Sequence, residues 1–370
     1  MSEKMYYESF ERMENFMATA FAAIGVPSED AKICAKVLIE SDKRGIDSHG
    51  VGRFKPIYID RINEGIQNVV TDFEVVRDNK AVAVVDGHDG MGHVVGVKAM
   101  QMAIDKAKEH GLGMVVVRNS THYGIAGYYA TMATEAGMIG ITGTNARSSI
   151  APTFGVQNKL GTNPLTFGMP TDEDFPFVLD CATSISQRGK IEHYARIKKE
   201  MPSGWVIDNN GKPVTDPDVA LKGFGTGECA LAPLGGIGEE LGGYKGYGYA
   251  TVVEILSASL QAGSFLDALN GVGENGEKVP YHLGHFFMAV DITAFTELDS
   301  FKKITGDILR ELRASKKAPD ADRIYTAGEK EYLAFLERSE KGIPMNAAVR
   351  KSLTDARDQL KVDFKFVWED

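Results

Sequence analysis

Apolar positions along the chain alternate between two periods. Phe10, Met13, Phe16, Met17, Ala20 and Phe21 recur at helical spacing and predict a first helix that ends near Gly25. Ser28 is read as the N-cap of a second helix, with Glu29 and Asp30 in its first turn, where the helix dipole favours acids. That helix runs through Ala35, Val37 and Leu38 to the stop at Gly45. Phe54, Ile57, Tyr58 and Ile62 predict a third helix, ending before Gly65. The pattern then changes. Ala81–Asp86, Met114–Val117, Gly137–Gly143, Phe177–Leu179 and Gly284–Asp291 are short apolar runs that read as strands. A helical pattern through Ala99, Met102, Ala103 and Ala107 lies between the first two, and further helices are read at Ala250–Leu260, Glu297–Ala318 and Glu329–Glu340. Strands alternating with helices predict an α/β protein.

Several of the strand-like runs end in a polar cluster. Arg118 to Gly124 follows the second and precedes a helix starting near Ile125; Thr144 to Ser149 follows the third; Asp180 to Ser184 follows the fourth. Strand ends are where small ligands bind in α/β folds, so the three loops are expected to converge on one site. His122 stands in the first of them, and an imidazole suits acid/base work near neutral pH. Ser48, His49 and Arg53 crowd the glycine-punctuated stretch Asp47–Phe54; if a helix starts there, His49 and Arg53 share a face. An arginine fork suits a substrate carboxylate. Lys245 and Gly246 lie in a glycine-rich loop before the helix from Ala250, whose first turn is a candidate phosphate site.

Bulk properties narrow the classes. The 370 residues are 43% hydrophobic and 25% charged, with a formal net charge of -10. That balance fits a globular chain and disfavours a nucleic-acid binder. Cys34, Cys181 and Cys229 are scattered, so no disulfide framework or zinc ribbon is expected. His282 and His285 have no adjacent third ligand, and no metal is expected. No signal-peptide core and no membrane-length apolar stretch is read, so a cytoplasmic location away from membranes is expected. Gly90, Gly92 and Gly96 mimic a dinucleotide fingerprint, but the third glycine falls one position late. They are read as helix packing, and His88 and His93 as structural or exposed.

Taken together, DSHGVGRF, NSTHYGIAGYYA, GTNPLTFGMP, LDCATS, RGKI and GGYKGYGYA resemble the type 2 malate/L-lactate dehydrogenase family, which includes ureidoglycolate, sulfolactate and 2,3-diketogulonate dehydrogenases and imine reductases. The resemblance implies an α/β, sulfolactate dehydrogenase-like fold with a non-Rossmann NAD(P)-binding domain. It implies a homodimer using NAD or NADP on a 2-hydroxy acid. The domain expectation is 1–75 for an N-terminal helical part, 76–255 for the cofactor domain and 256–370 for a part returning to the first. By the family pattern His122 is the acid/base, Arg53 holds the substrate carboxylate, and Ser48 and His49 line the site. Asn145, Thr162, Asn163, Pro164, Asp180, Ala182, Thr183, Lys245 and Gly246 line the cofactor. TAGE at Thr326 to Glu329 stands where relatives carry PGE and is read as scaffold. Oxaloacetate is the substrate expected first, with Arg147 the candidate donor for its second carboxylate. Lactate, sulfolactate and ureidoglycolate dehydrogenases, cyclic imine reductases and a catalytically dead nucleotide-binding regulator are the alternatives.

Overall fold

The computed structural model describes residues 4–369. Strand β1 (Tyr6–Glu8) leads into helix α1 (Phe10–Ala23), where the Ser9 side chain accepts from the Arg12 N–H. Helix α2 (Ser28–Lys43) follows. Its N-cap is Pro27 and not the expected Ser28, because the Ala31 N–H already donates to the Pro27 carbonyl and closes the first turn one residue earlier. The third helix is composite: a 3-10 turn at Val51–Arg53, a π turn at Phe54–Ile59, and α3 (Asp60–Asn63). His49 precedes all of it, so it shares no helix face with Arg53.

Strands β2 (Glu74–Asn79) and β3 (Val82–Asp86) precede helix α4 (Gly92–His110). Strand β4 (Leu112–Ser120) carries Arg118 and Asn119, placed by sequence in the following loop. Helix α5 (Ala126–Glu135) and strands β5 (Met138–Thr144), β6 (Leu165–Met169) and β7 (Phe177–Cys181) come next. Helix α6 (Arg188–Arg196), strand β8 (Val206–Asp208), helix α7 (Pro217–Thr226) and strand β9 (Cys229–Leu231) build a small unit with its own core around Ile191, Val206 and Leu231. Helix α8 (Gly243–Ala258) begins earlier than the apolar pattern suggested. Strand β10 (Leu283–Asp291), helices α9 (Leu298–Ala314) and α10 (Glu329–Lys341), strand β11 (Ile343–Met345) and helix α11 (Ala347–Leu360) complete the chain.

Both chain ends share one core. Met13, Phe16, Phe21, Leu38, Phe54 and Tyr58 pack with Ile343, Met345, Leu353 and Phe366, and β1 pairs with β11. Strand β10 instead enters the seven-stranded sheet β2-β3-β4-β10-β5-β6-β7, so residues 256–370 divide between sheet and helical core. Only β3–β4 among the adjacent pairs is parallel. This mixed topology differs from the doubly wound parallel sheet. Helices α4 and α5 cover one face around Val85, Val117 and Phe287; α8 covers the other around Val116, Val253 and Phe286. Gly92 and Gly96 serve packing: a Cβ would lie 2.3 Å from the Thr121 carbonyl oxygen and 2.7 Å from the Tyr129 ring, respectively.

Registry decides where the loops go. Ser120 pairs with Leu283, Thr144 with His285, Gly143 with Leu165, and Leu165 with Cys181. The ends of β3, β4, β5 and β7 and the starts of β6 and β10 therefore lie at one end of the sheet, and the polar loops converge there.

Candidate active site

The loop 121–125 holds His122 against the helical core. His122 Nδ1 lies 2.6 Å from the Tyr58 hydroxyl and accepts a long 3.3 Å contact from the Gly124 N–H. No described residue hydrogen-bonds His122 Nε2. The His49 ring stacks on His122 at 5.7 Å between centroids, and its own Nδ1 meets the Ser48 hydroxyl at 2.8 Å. Arg53 Nε donates to the Ser48 carbonyl at 2.6 Å. His49 and Tyr58 thus touch His122, and Ser48 holds both His49 and Arg53.

Electrostatics here are dominated by burial and positive charge. Burial pushes the His122 pKa well below its usual value, and His49, Arg61, His93 and Arg53 push it the same way. Burial, then Arg53, brings His49 down to about 4. Both rings are neutral at pH 7. The nearby acids are engaged elsewhere: Asp47 pairs with Arg338 at 2.5 Å, and Asp42 accepts from the Val51 N–H at 2.7 Å. Arg53 has no carboxylate partner among the described residues. Tyr58, Arg61 and His93 were not singled out as site residues. His93 is fully buried with both ring nitrogens unpartnered and lies 4.5 Å from the Tyr58 ring. Helical spacing of Tyr58 and Arg61 was the one signal available in the sequence.

The remaining candidates divide between the two faces of the sheet end. Asp180 is on the α5 side, within β7; its carboxylate accepts from the Gly127 N–H at 2.7 Å and from the Thr166 hydroxyl at 3.0 Å. A cavity of about 590 Å³ opens beside it, lined by Ile125, Gly127, Arg44, Gly328 and Lys330 among others. Thr326, Ala327 and Gly328 of the TAGE segment line this cavity too. Asn145 and Asn163 are on the α8 side, and their amides are engaged within the protein. Asn145 accepts from the Gly284 N–H at 2.8 Å and donates to the Ser264 carbonyl at 3.2 Å. Asn163 donates to the Glu254 carboxylate at 2.8 Å and accepts from the Ala146 N–H at 3.2 Å. Glu254, missed in the sequence, is the buried hub of this network, its pKa raised by burial. Thr183 ties down the Thr162–Asn163–Pro164 turn by donating to the Thr162 and Asn163 carbonyls, and Ala182 is half-buried beside it.

Three candidates are placed differently from the sequence reading. Lys245 and Gly246 belong to the first turn of α8 and not to a loop before it. The helix starts early because its N-terminus packs under the chain at 234–238: a Cβ on Gly246 would meet the Leu234 backbone at 2.2 Å. Lys245 is exposed, with its ammonium 5.7 Å from the Tyr244 ring centroid. Arg147 is exposed in the turn after β5. His282 pairs with Asp89 at 2.9 Å while the buried His285 contacts the Thr144 hydroxyl at 2.7 Å, so the two histidines serve separate contacts.

Comparison with known proteins gives the family and the fold. The family model described as malate/L-lactate dehydrogenase matches residues 9–354. A malate dehydrogenase from Pyrococcus horikoshii is 43% identical over 353 residues, covering 95% of each chain. The solved malate dehydrogenase from Entamoeba histolytica superposes with a TM-score of 0.94 at 43% identity, covering 98% of this chain and all of that one. The sulfolactate dehydrogenase from Methanocaldococcus jannaschii gives a TM-score of 0.84 at 35% identity, covering 96% and 98%.

Proposed function

The chain belongs to the malate/L-lactate dehydrogenase family, and from that premise we propose that it interconverts malate and oxaloacetate with a nicotinamide cofactor, NAD or NADP. The observation that carries this reading is a neutral histidine with one nitrogen held by Tyr58 and the other free, beside an arginine without a counterion. The reaction uses the tautomer in which Nδ1–H donates to the Tyr58 oxygen and the long Gly124 N–H contact is given up; the Nε2 lone pair of His122 then takes the hydroxyl proton of the 2-hydroxy acid. In reverse, protonated His122 donates to the 2-oxo oxygen. Arg53, steadied through Nε by the Ser48 carbonyl, offers its remaining N–H groups to the C1 carboxylate. His49, stacked on His122 and fixed by Ser48, walls the reacting carbon and limits access of water. The nicotinamide, when bound, supplies the hydride acceptor or donor.

The size and place of one cavity fit such a cofactor. The cavity beside Asp180 is within the ~300–1,000 Å³ range of small-molecule sites and starts at Ile125, three residues from His122. Its lining mixes Arg44 and Lys330 with Glu40, Glu135, Asp174, Asp180 and Glu331, and Arg44 lies 3.7 Å from Glu40, so its size and place and not its charge support the reading. Asp180 fixes the start of α5, and the Asn145–Asn163–Glu254 network fixes the turns at 145–149 and 162–164, so these act by positioning. The reading extends to a cytoplasmic homodimer. No described helix is long and apolar enough to cross a membrane.

A panel of 2-oxo acids with NADH and NADPH tests the reading. Oxaloacetate is expected to outperform pyruvate, and His122→Ala to retain cofactor binding while losing about 10²- to 10⁴-fold in turnover. Near-normal turnover in that variant removes His122 from the chemistry; cofactor binding without turnover of any 2-oxo acid favours a regulator.

A further inference from the structure

Arg61 is the cation that the mechanism above leaves without a role. It follows Tyr58 by three residues on the composite helix, so the two side chains share a face, and Tyr58 is the residue in contact with His122. The Arg61 guanidinium is stacked 4.3 Å from the Tyr281 ring centroid. Its neighbouring carboxylates are taken: Asp60 by Lys55 at 2.6 Å, and Glu64 by Lys278 at 2.5 Å. No carboxylate pairs with Arg61 among the described residues. Burial lowers its pKa, Tyr281 and Tyr58 act in the opposite direction, the charge of Arg147 adds to the lowering, and Glu64 offsets it weakly from a distance. A half-buried guanidinium without a counterion carries a desolvation cost that an anionic ligand would offset.

Arg53 and Arg61 are therefore two separate cations, neither in a salt bridge among the described residues, reached from the same helical segment and both acting on His122. One 2-oxo acid carboxylate needs only one of them. Resting on the dehydrogenase reading, we infer that Arg61, stacked on Tyr281, holds a second anionic group of the substrate, a carboxylate or sulfonate, while Arg53 holds the first. This makes Arg61 the residue that separates dianionic 2-oxo acids from pyruvate. Arg147 is exposed, so its attraction is screened by water and salt and serves capture more than discrimination. The Tyr281 ring keeps the guanidinium plane fixed, so its N–H fork is oriented before the ligand arrives.

The test is steady-state reduction of oxaloacetate, 3-sulfopyruvate and pyruvate by wild type, Arg61→Gln, Arg61→Lys and Arg147→Ala. Arg61→Gln is expected to lower kcat/KM for both dianions by about 10²-fold or more, with a far smaller change for pyruvate. Arg61→Lys keeps the charge without the fork and is expected to recover part of that loss. Arg147→Ala is expected to change the dianion-to-pyruvate ratio much less. A second readout comes from pyruvate alone: reduction needs protonated His122 and the Arg61 charge depresses its pKa, so removing that charge is expected to move the alkaline limb of the pH profile upward. Thermal unfolding of each variant identifies any loss of fold, in which case Arg61→Lys carries the test. An unchanged oxaloacetate-to-pyruvate ratio in folded Arg61→Gln, or equal losses on all three substrates, overturns the inference alone. A wild type that reduces none of the three overturns the dehydrogenase reading beneath it. The better dianion in wild type identifies carboxylate or sulfonate as the natural group.

Discussion

His122 concentrates the chemistry, and its surroundings set the pH range over which it works. Burial and the charges of Arg61 and Arg53 favour the neutral ring. Oxidation of a 2-hydroxy acid needs that neutral form as the base. The sign follows: a depressed pKa extends the active plateau toward acid. The pH profile of kcat/KM for oxidation reports the free enzyme, so its acid limb is expected to fall below the usual histidine value of 6.5. The limb seen in kcat is expected at higher pH, since bound carboxylates offset the arginine charges. A kcat/KM limb centred at or above 6.5 would show that the buried, positively surrounded ring is not the titrating base. Histidines elsewhere behave by their own contacts: His88, exposed beside Glu74, has its pKa raised by that hydrogen bond.

At the scale of elements, the stretch from 47 to 63 does most to build the site. It leaves α2, turns over Asp42 and enters the composite helix. The buried Asp42 carboxylate, pushed up to about 8 chiefly by burial, accepts from Val51 N–H at the start of the turn that carries Arg53. Gly50 makes this possible, since a Cβ there would lie 2.2 Å from that carboxylate. Gly50→Ala is expected to displace Asp42, destabilise the fold by about 1–3 kcal/mol, and raise KM through Arg53. Gly52→Ala is the matched control: its Cβ would meet nothing nearer than 3.5 Å. Urea unfolding and substrate KM of the two variants check this, and equal stability for both would disprove the role given to Gly50.

At the scale of the molecule, apolar surface is left uncovered. Helix α9 buries Gly306 and Leu309, yet Ile304, Ile308 and Leu312 form an exposed stripe at four-residue spacing. Helix α8 likewise exposes Tyr249, Val252 and Ile255. Contiguous apolar faces of this kind mark association surfaces. The proposed homodimer predicts twice the chain mass in light scattering, and Ile304→Glu combined with Ile308→Glu is expected to shift it toward one chain. A wild type of single-chain mass across the working concentration range would remove the homodimer; an unshifted double variant would move the interface away from α9.

The sequence by itself determined the local parts. Amphipathic spacing located α1, α2, α4 and α9, and apolar runs located β3, β4, β5, β7 and β10, because each element buries one face and that face has a period. It also placed Ser48, His49 and Arg53 together, since they are neighbours on the chain. Tertiary structure decided what each face meets. Tyr58 and His122 are 64 residues apart, and no periodicity couples them. Asp180 reads as a polar residue after a strand, but its work is to accept from the Gly127 N–H at the start of α5. Strand β10 lies between β4 and β5 through hydrogen bonds to residues more than a hundred positions earlier, and that insertion brings the loop ends together. Patterns along a chain report which side of an element is buried; pairing depends on long-range registry and shape, which only the folded chain fixes.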